Sequence, residues 1–192
     1  ASSPKIAPPY PLMTAEQLKE IPVASICEED CALFLWSTSS KLKEAIELMT
    51  AWGFEYKCIW LNMRKLYTSG QPHVMPGYWN WPSTEQLLLG VRGKAGRLRV
   101  LTFNMHQDYA HTASLDAKHS QKPDEVRSFI IQYMDATRRL ELFARVTDPA
   151  FGDAWGLEVP GFYWEPEEGV EGASVFQVKT NKKRGRPRKN PE

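Results

Sequence analysis

The sequence predicts an α/β fold, a mainly parallel central sheet flanked by helices. Three observations carry this. Short apolar runs with the length of strands alternate with segments whose apolar residues recur at helical spacing. The length of 192 residues suits one such domain with a sizeable core. Polar loops follow the strand-like runs, and open α/β sheets take their ligands at the carboxyl ends of their strands.

The elements follow in order. Thr14, with Gln17 three residues later, makes a capping box for a short helix that ends before Pro22. Residues 31–37 form an apolar run that fits a buried strand. Over 40–52, Leu42, Ala45, Ile46, Met49 and Trp52 share one helical face, and Gly53 stops the helix. Residues 54–61 read as the next strand and 86–91 as another. Trp36 and Trp52 are expected in the core, where their bulk fits helix–sheet packing.

Residues 62–84 have no sustained period. Asn62, Arg64, Lys65, Tyr67, His73, Tyr78, Trp79, Asn80 and Trp81 lie there among glycines and prolines, so a long loop of cationic and aromatic groups is expected. Cations hold phosphates, and aromatic faces stack on unpaired bases, which makes Tyr78, Trp79 and Trp81 substrate-binding candidates; covering the sheet edge is the other use of such rings. Glu85 places a carboxylate at the rim of this loop. Lys94, Arg97 and Arg99 beside Val100, Leu101 and Phe103 suggest a basic edge hairpin over 94–104.

The net charge of +1 hides an asymmetry. Residues 178–192 hold seven of the 24 basic residues and one of the 23 acidic ones, which leaves a mildly acidic body of 17 and 22. Cys27, Cys31 and Cys58 form no paired framework, so they read as small buried hydrophobes in a reducing compartment. No apolar run is long enough to span a bilayer and no secretory signal opens the chain. His106 and His111, five apart beside Asp108, with His119 eight further on, lack the tight spacing of a zinc site. No metal is expected.

The rest is organised around residues 119–158. The loop His119-Ser-x-Lys122-Pro123 places proline at the first helical position, and Asp124 and Glu125 follow where the helix dipole favours anions. Val126, Phe129, Ile130 and Tyr133 give the helix one buried face. Alternation over 140–145 predicts a strand that delivers Arg145 into a loop, which closes on Trp155-Gly156.

This stretch resembles the MT-A70 family of adenine methyltransferases. The motifs that carry the likeness are Tyr10-Pro-Leu-Met13, Ala32-Leu-Phe-Leu-Trp36, Trp52-Gly-Phe-Glu55, Glu85-Gln-Leu-Leu-Leu-Gly-Val-Arg-Gly93, His119-Ser-x-Lys122-Pro123 and Arg139-Leu-Glu-Leu-Phe-Ala-Arg145 with Trp155-Gly-x-Glu158. They cover roughly residues 10–160 in the family's order. The resemblance implies a Rossmann-like methyltransferase domain over 1–163, and methyl transfer from S-adenosylmethionine to the exocyclic N(6) of adenine in nucleic acid. It implies that Tyr10 lies beside the adenine and the cofactor and that Glu85 lines the substrate pocket. His119 belongs to the loop over the cofactor, Lys122 to the cofactor carboxylate, Arg145 to the ribose or carboxylate end, and Glu158 to the ribose or adenine edge, with Phe143 and Gly156 in the same motifs. Leu157 stands where the family often has asparagine, which removes one polar cofactor contact.

The family's catalytic motif, Asp-Pro-Pro-Trp, is absent, so no catalytic residue is assigned. Residues 1–9 carry neither periodicity nor an initiator methionine, and the chain is expected to start inside a longer protein with the motif upstream. The competing reading takes Ala7-Pro8-Pro9-Tyr10 as a degenerate motif and the chain as an inactive homologue that binds nucleic acid or supports a partner. A homodimer, or a heterodimer with a related methyltransferase, is possible on the same resemblance. The location would be cytoplasmic for a bacterial or phage protein and nuclear for a eukaryotic one. Residues 164–177 read as a linker. Residues 178–192 resemble an AT-hook, with core Arg184-Gly185-Arg186-Pro187, expected to be disordered alone and to enter the minor groove of A·T-rich DNA. A generic basic tail is the alternative. The hook favours DNA over RNA as the substrate.

Overall fold

The computed structural model describes residues 11–74, 76–77, 79–94, 100, 107–112, 122–135, 138–156 and 158–159. A four-stranded sheet carries β1 (Cys31–Thr38), β2 (Glu55–Leu66), β3 (Thr84–Arg92) and β4 (Asp108–Thr112) in the order β1-β3-β2-β4. Helices α1 (Ala15–Glu20) and α2 (Leu42–Ala51) lie on one face and α3 (Asp124–Tyr133) on the other. A separate parallel pair joins β5 (Leu140–Leu142) to β6 (Asp153–Trp155).

The sheet is not mainly parallel. β3 runs antiparallel to both its neighbours, and only the β2–β4 ladder is parallel. The reason is the connection. β1 reaches β2 through α2, and a helical crossover returns the chain in the same direction. Among the described residues between β2 and β3 there is no helix, so the chain turns back and pairs antiparallel. β1, β2 and β4 thus point one way, and their carboxyl ends share an edge with the amino end of β3.

Period-two alternation sorts the side chains between two cores. Leu33 and Leu35 of β1 meet Met49, Trp52 and Leu88 on the α2 face. Ala32, Phe34 and Trp36 meet Leu87, Leu89, Val126 and Tyr133 on the α3 face. Register shifts in β2 at Tyr56/Cys58 and Ile59/Leu61 each add one residue, and the second puts Trp60 and Leu61 together in the α3-side core. Trp52 is buried as expected, and its Nε1 donates to the Leu18 carbonyl at 2.9 Å, which ties α2 to α1. The Thr14–Gln17 capping box is present in full.

Several expected bounds move. β2 continues to Leu66, so Asn62, Arg64 and Lys65 stand on a strand rather than in a loop. β4 arises in a stretch to which the sequence pattern assigns no element, because a polar edge strand carries little apolar signal. Pro123 is the residue before the first turn of α3, one earlier than expected. β5 ends at Leu142 because Phe143 turns into the left-handed region, with φ 58°. The cysteines are not fully buried: Cys27 and Cys31 are half-buried and Cys58 is exposed.

Candidate active site

The carboxyl edge of the sheet gathers three charged side chains on the α3 face. On β2, Leu61, Met63 and Lys65 alternate along one side of the strand, the first two fully buried and the last at its end. On β3, Glu85 precedes Leu87 and Leu89 with the same parity, opposite Thr38 of β1 and Met63 of β2. Lys122 arrives from the loop before α3. Both lysines reach the one carboxylate, Lys65 to Oε1 and Lys122 to Oε2 at 3.1 Å. The Lys122 ammonium also lies over the Trp36 ring, 5.7 Å from its centroid, within cation–π range.

Burial pushes the Glu85 carboxyl up, but Lys122 and Lys65 together outweigh it and hold the group below the ordinary carboxylate range. Glu85 is therefore an anion at neutral pH. Trp36 was expected in the core; it packs there and also lies under the Lys122 ammonium.

The second group lies after β5. Arg145 Nε and Nη2 both meet Glu158 Oε1, at 2.7 and 2.6 Å. Phe143 sets its ring edge-on to Trp155 with centroids 5.4 Å apart. Gly156 packs on the Ala144 backbone so closely that a Cβ would stand 2.6 Å from the Ala144 nitrogen and nearer still to its carbonyl oxygen. Arg127 of α3 grips Glu141 of β5 with both ends of its guanidinium, at 2.7 and 2.9 Å, so the helix after Lys122 is fixed to the strand before Arg145.

Above the edge, Tyr67 pairs with His73 at 4.6 Å in a small hairpin closed by Tyr67 N–H donating to the Gln71 carbonyl. Beyond it, Trp79 and Trp81 are 91% and 70% exposed, so neither ring covers the sheet. Lys94 sits apart at the far end of β3, where its backbone N–H caps Asp30. Among the described residues no three His, Cys, Asp or Glu side chains gather as metal ligands, and His111 stands on β4 stacked on Tyr109. Tyr10, Tyr78, His119, Arg97, Arg99 and the Arg184–Pro187 core lie outside the described residues.

Of the candidates the sequence singles out, the structure brings Glu85 to Lys122 and Arg145 to Glu158. Lys65 had been noted only as one cation among several. Its signal was the alternation Leu61, Met63, Lys65, which extends the buried side of a strand into the site.

The fold and its edge define an α/β domain with a charged cluster at the carboxyl ends of β1 and β2. The chain belongs to the MT-A70 family, whose profile matches residues 2–158. It is 32% identical over 157 residues to the type II methyltransferase M.MunI of Mycoplasma sp, covering 79% of this chain and 60% of that protein. It is 27% identical over 142 residues to the human N(6)-adenosine-methyltransferase catalytic subunit METTL3, covering 71% of this chain and 23% of that protein. The chain therefore spans from about a fifth to three fifths of the curated relatives it matches. Among the described residues no helix is long and apolar enough to cross a membrane.

Proposed function

We propose that this chain is the cofactor- and substrate-binding part of an S-adenosylmethionine-dependent methyltransferase that modifies the N(6) amine of adenine in DNA. The observation that carries the reading is Glu85 held ionised between two lysines at the ligand edge of a domain whose family includes a type II methyltransferase and an N(6)-adenosine-methyltransferase.

The side chains present suit the cofactor. Lys122 and Arg145 are cations of the kind that take a carboxylate, and Glu158 accepts hydrogen bonds from ribose hydroxyls. The bound cofactor supplies an electrophilic methyl group. Glu85, an anion beside the loop that bears Trp79 and Trp81, accepts from an exocyclic amine and orients the base. The exposed indoles offer stacking faces to nucleotides that leave the helix stack. The Arg184-Gly185-Arg186-Pro187 core supports DNA over RNA.

The test is transfer of labelled methyl from S-adenosylmethionine to A·T-rich DNA and to matched RNA, using the full-length protein. Label on adenine N(6) of the DNA is the expected result. Label on RNA alone would change the substrate, and binding without transfer would favour the inactive, partner-supporting homologue that Ala7-Pro8-Pro9-Tyr10 suggests.

A further inference from the structure

Glu85 presents its two oxygens to two different lysines. Oε1 takes Lys65 and Oε2 takes Lys122. The lysines differ in how they are held. Lys65 is built into the sheet: its N–H donates to the Ser83 carbonyl at 2.8 Å, its carbonyl accepts from His73 N–H at 2.9 Å, and it stands in register with His111 of β4. Lys122 comes from a loop residue just before α3. The proposed function asks Lys122 to serve an anionic ligand, and a lysine fully committed to Glu85 cannot do so without leaving a half-buried carboxylate unpaired, which is costly.

We propose that Lys65 is the positioning residue of this site, holding Glu85 through Oε1 so that Lys122 can exchange Oε2 for the carboxylate of the bound cofactor. Lys65 itself touches neither cofactor nor base. It acts through Glu85, and it makes Lys122 exchangeable because the carboxylate keeps one cation throughout. The inference rests on the proposed role of Lys122, and it adds the residue that the role requires.

Among the described residues, the charged groups facing Glu85 are Lys65 from β2 and Lys122 from the loop before α3, and His111 of β4 is in register with Lys65. Removing Lys65 leaves Lys122 as the main counter-ion. Lys65→Met should then raise the Glu85 titration midpoint, read by carbon-13 NMR of glutamate-labelled protein with the Glu85→Gln variant as assignment. Lys65→Arg, which keeps the charge, should hold it down.

Cofactor affinity, measured by calorimetry with S-adenosylhomocysteine, should fall about tenfold in Lys65→Met, the size of one charged hydrogen bond. It should recover in the double variant Lys65→Met, Glu85→Gln, where the carboxylate no longer retains Lys122. A merely structural lysine would give no such recovery. A Glu85 midpoint unmoved by Lys65→Met, or a double variant weaker than the single one, overturns the proposal. If the wild-type protein bound no cofactor at all, the functional reading would fall, and the NMR titration would still decide whether Lys65 controls Glu85.

Discussion

Arg145 and Glu158 form an ion pair in which two guanidinium nitrogens converge on one carboxylate oxygen, 2.6 and 2.7 Å away. The pair fixes the Glu158 carboxylate in place beside Arg145. Lys122 and Arg145 are the two cations assigned to the cofactor. Replacing both with alanine should weaken S-adenosylhomocysteine binding at least about 100-fold, the product of two charged hydrogen bonds. Calorimetry checks this, and an unchanged affinity would remove the assigned pocket.

Trp79 and Trp81 stand out from the molecule, 91% and 70% exposed, so cutting either back costs little packing. As stacking faces each is worth about 1–3 kcal/mol per base. Trp79→Ala and Trp81→Ala should therefore leave the melting temperature within error while lowering affinity for single-stranded oligonucleotides roughly 5- to 150-fold. Fluorescence anisotropy with a labelled oligonucleotide reads the effect. Loss of thermal stability with affinity intact would make these rings structural instead.

The sequence made the helices plain through their 3.6-residue spacing, but the faces of β1 were not legible, because residues 32–36 are all apolar and only the fold sends Leu33 and Leu35 to one core and Ala32, Phe34 and Trp36 to the other. Nor did the sequence show strand direction. Periodicity reports that a segment is extended, and only the connection reports which way it runs, so the antiparallel direction of β3 follows from the turn-back between β2 and β3 and not from its apolar pattern. Asn62 and Arg64 on the other side of the strand, and Lys65 at the end of the side that carries Leu61 and Met63, broke the apolar count and hid the end of β2. Glu85 and Lys122 became legible through their motifs. The shared carboxylate did not, because residues 20 apart, such as Lys65 and Glu85, meet only when the strand register is known.

Gly156 has a packing reason that the Trp-Gly motif alone does not reveal. Its α-carbon lies against the Ala144 backbone, which is itself held by Ala144 N–H donating to the Trp155 carbonyl at 2.9 Å. A methyl group there must push two backbone segments apart. Gly156→Ala should destabilise the fold by about 1–3 kcal/mol, as overpacking does, and should loosen the β5–β6 pair that presents Arg145 and Glu158. Denaturant melts would detect the first effect. A variant as stable as wild type would mean the strands separate at no cost.

Residues 178–192 lie outside the described residues, and their assignment as a minor-groove hook rests on Arg184-Gly185-Arg186-Pro187. If the hook assists an enzyme, deleting 178–192 should weaken DNA binding and erase its preference for A·T-rich sequence, with turnover at saturating DNA retained. The salt dependence of binding should also become shallower, because the tail contributes phosphate contacts. Parallel binding and turnover measurements separate this from a tether, for which deletion would abolish all DNA affinity.

Cys27 and Cys31 lie near the start of β1, where Cys31 Sγ donates to the Ala32 carbonyl at 3.6 Å, and the influence of each thiol on the other splits their acidities. The Cys31 thiol lowers Cys27 to about 7, outweighing burial, with help from Arg92, while Cys31 is pushed up by the same contact. Burial of its thiol also raises Cys58. The thiolate is the reactive form, so Cys27 should alkylate with a rate that rises through about pH 7 and levels off above it. Cys58 should lag at neutral pH even though its residue is the more exposed. Removing the neighbouring thiol in Cys31→Ala should move the Cys27 midpoint upward, toward the ordinary thiol value of about 8.5. Site-resolved mass spectrometry after iodoacetamide pulses across this range gives both midpoints. A Cys27 midpoint that stays put in Cys31→Ala would show that Arg92, and not the neighbouring thiol, sets its reactivity.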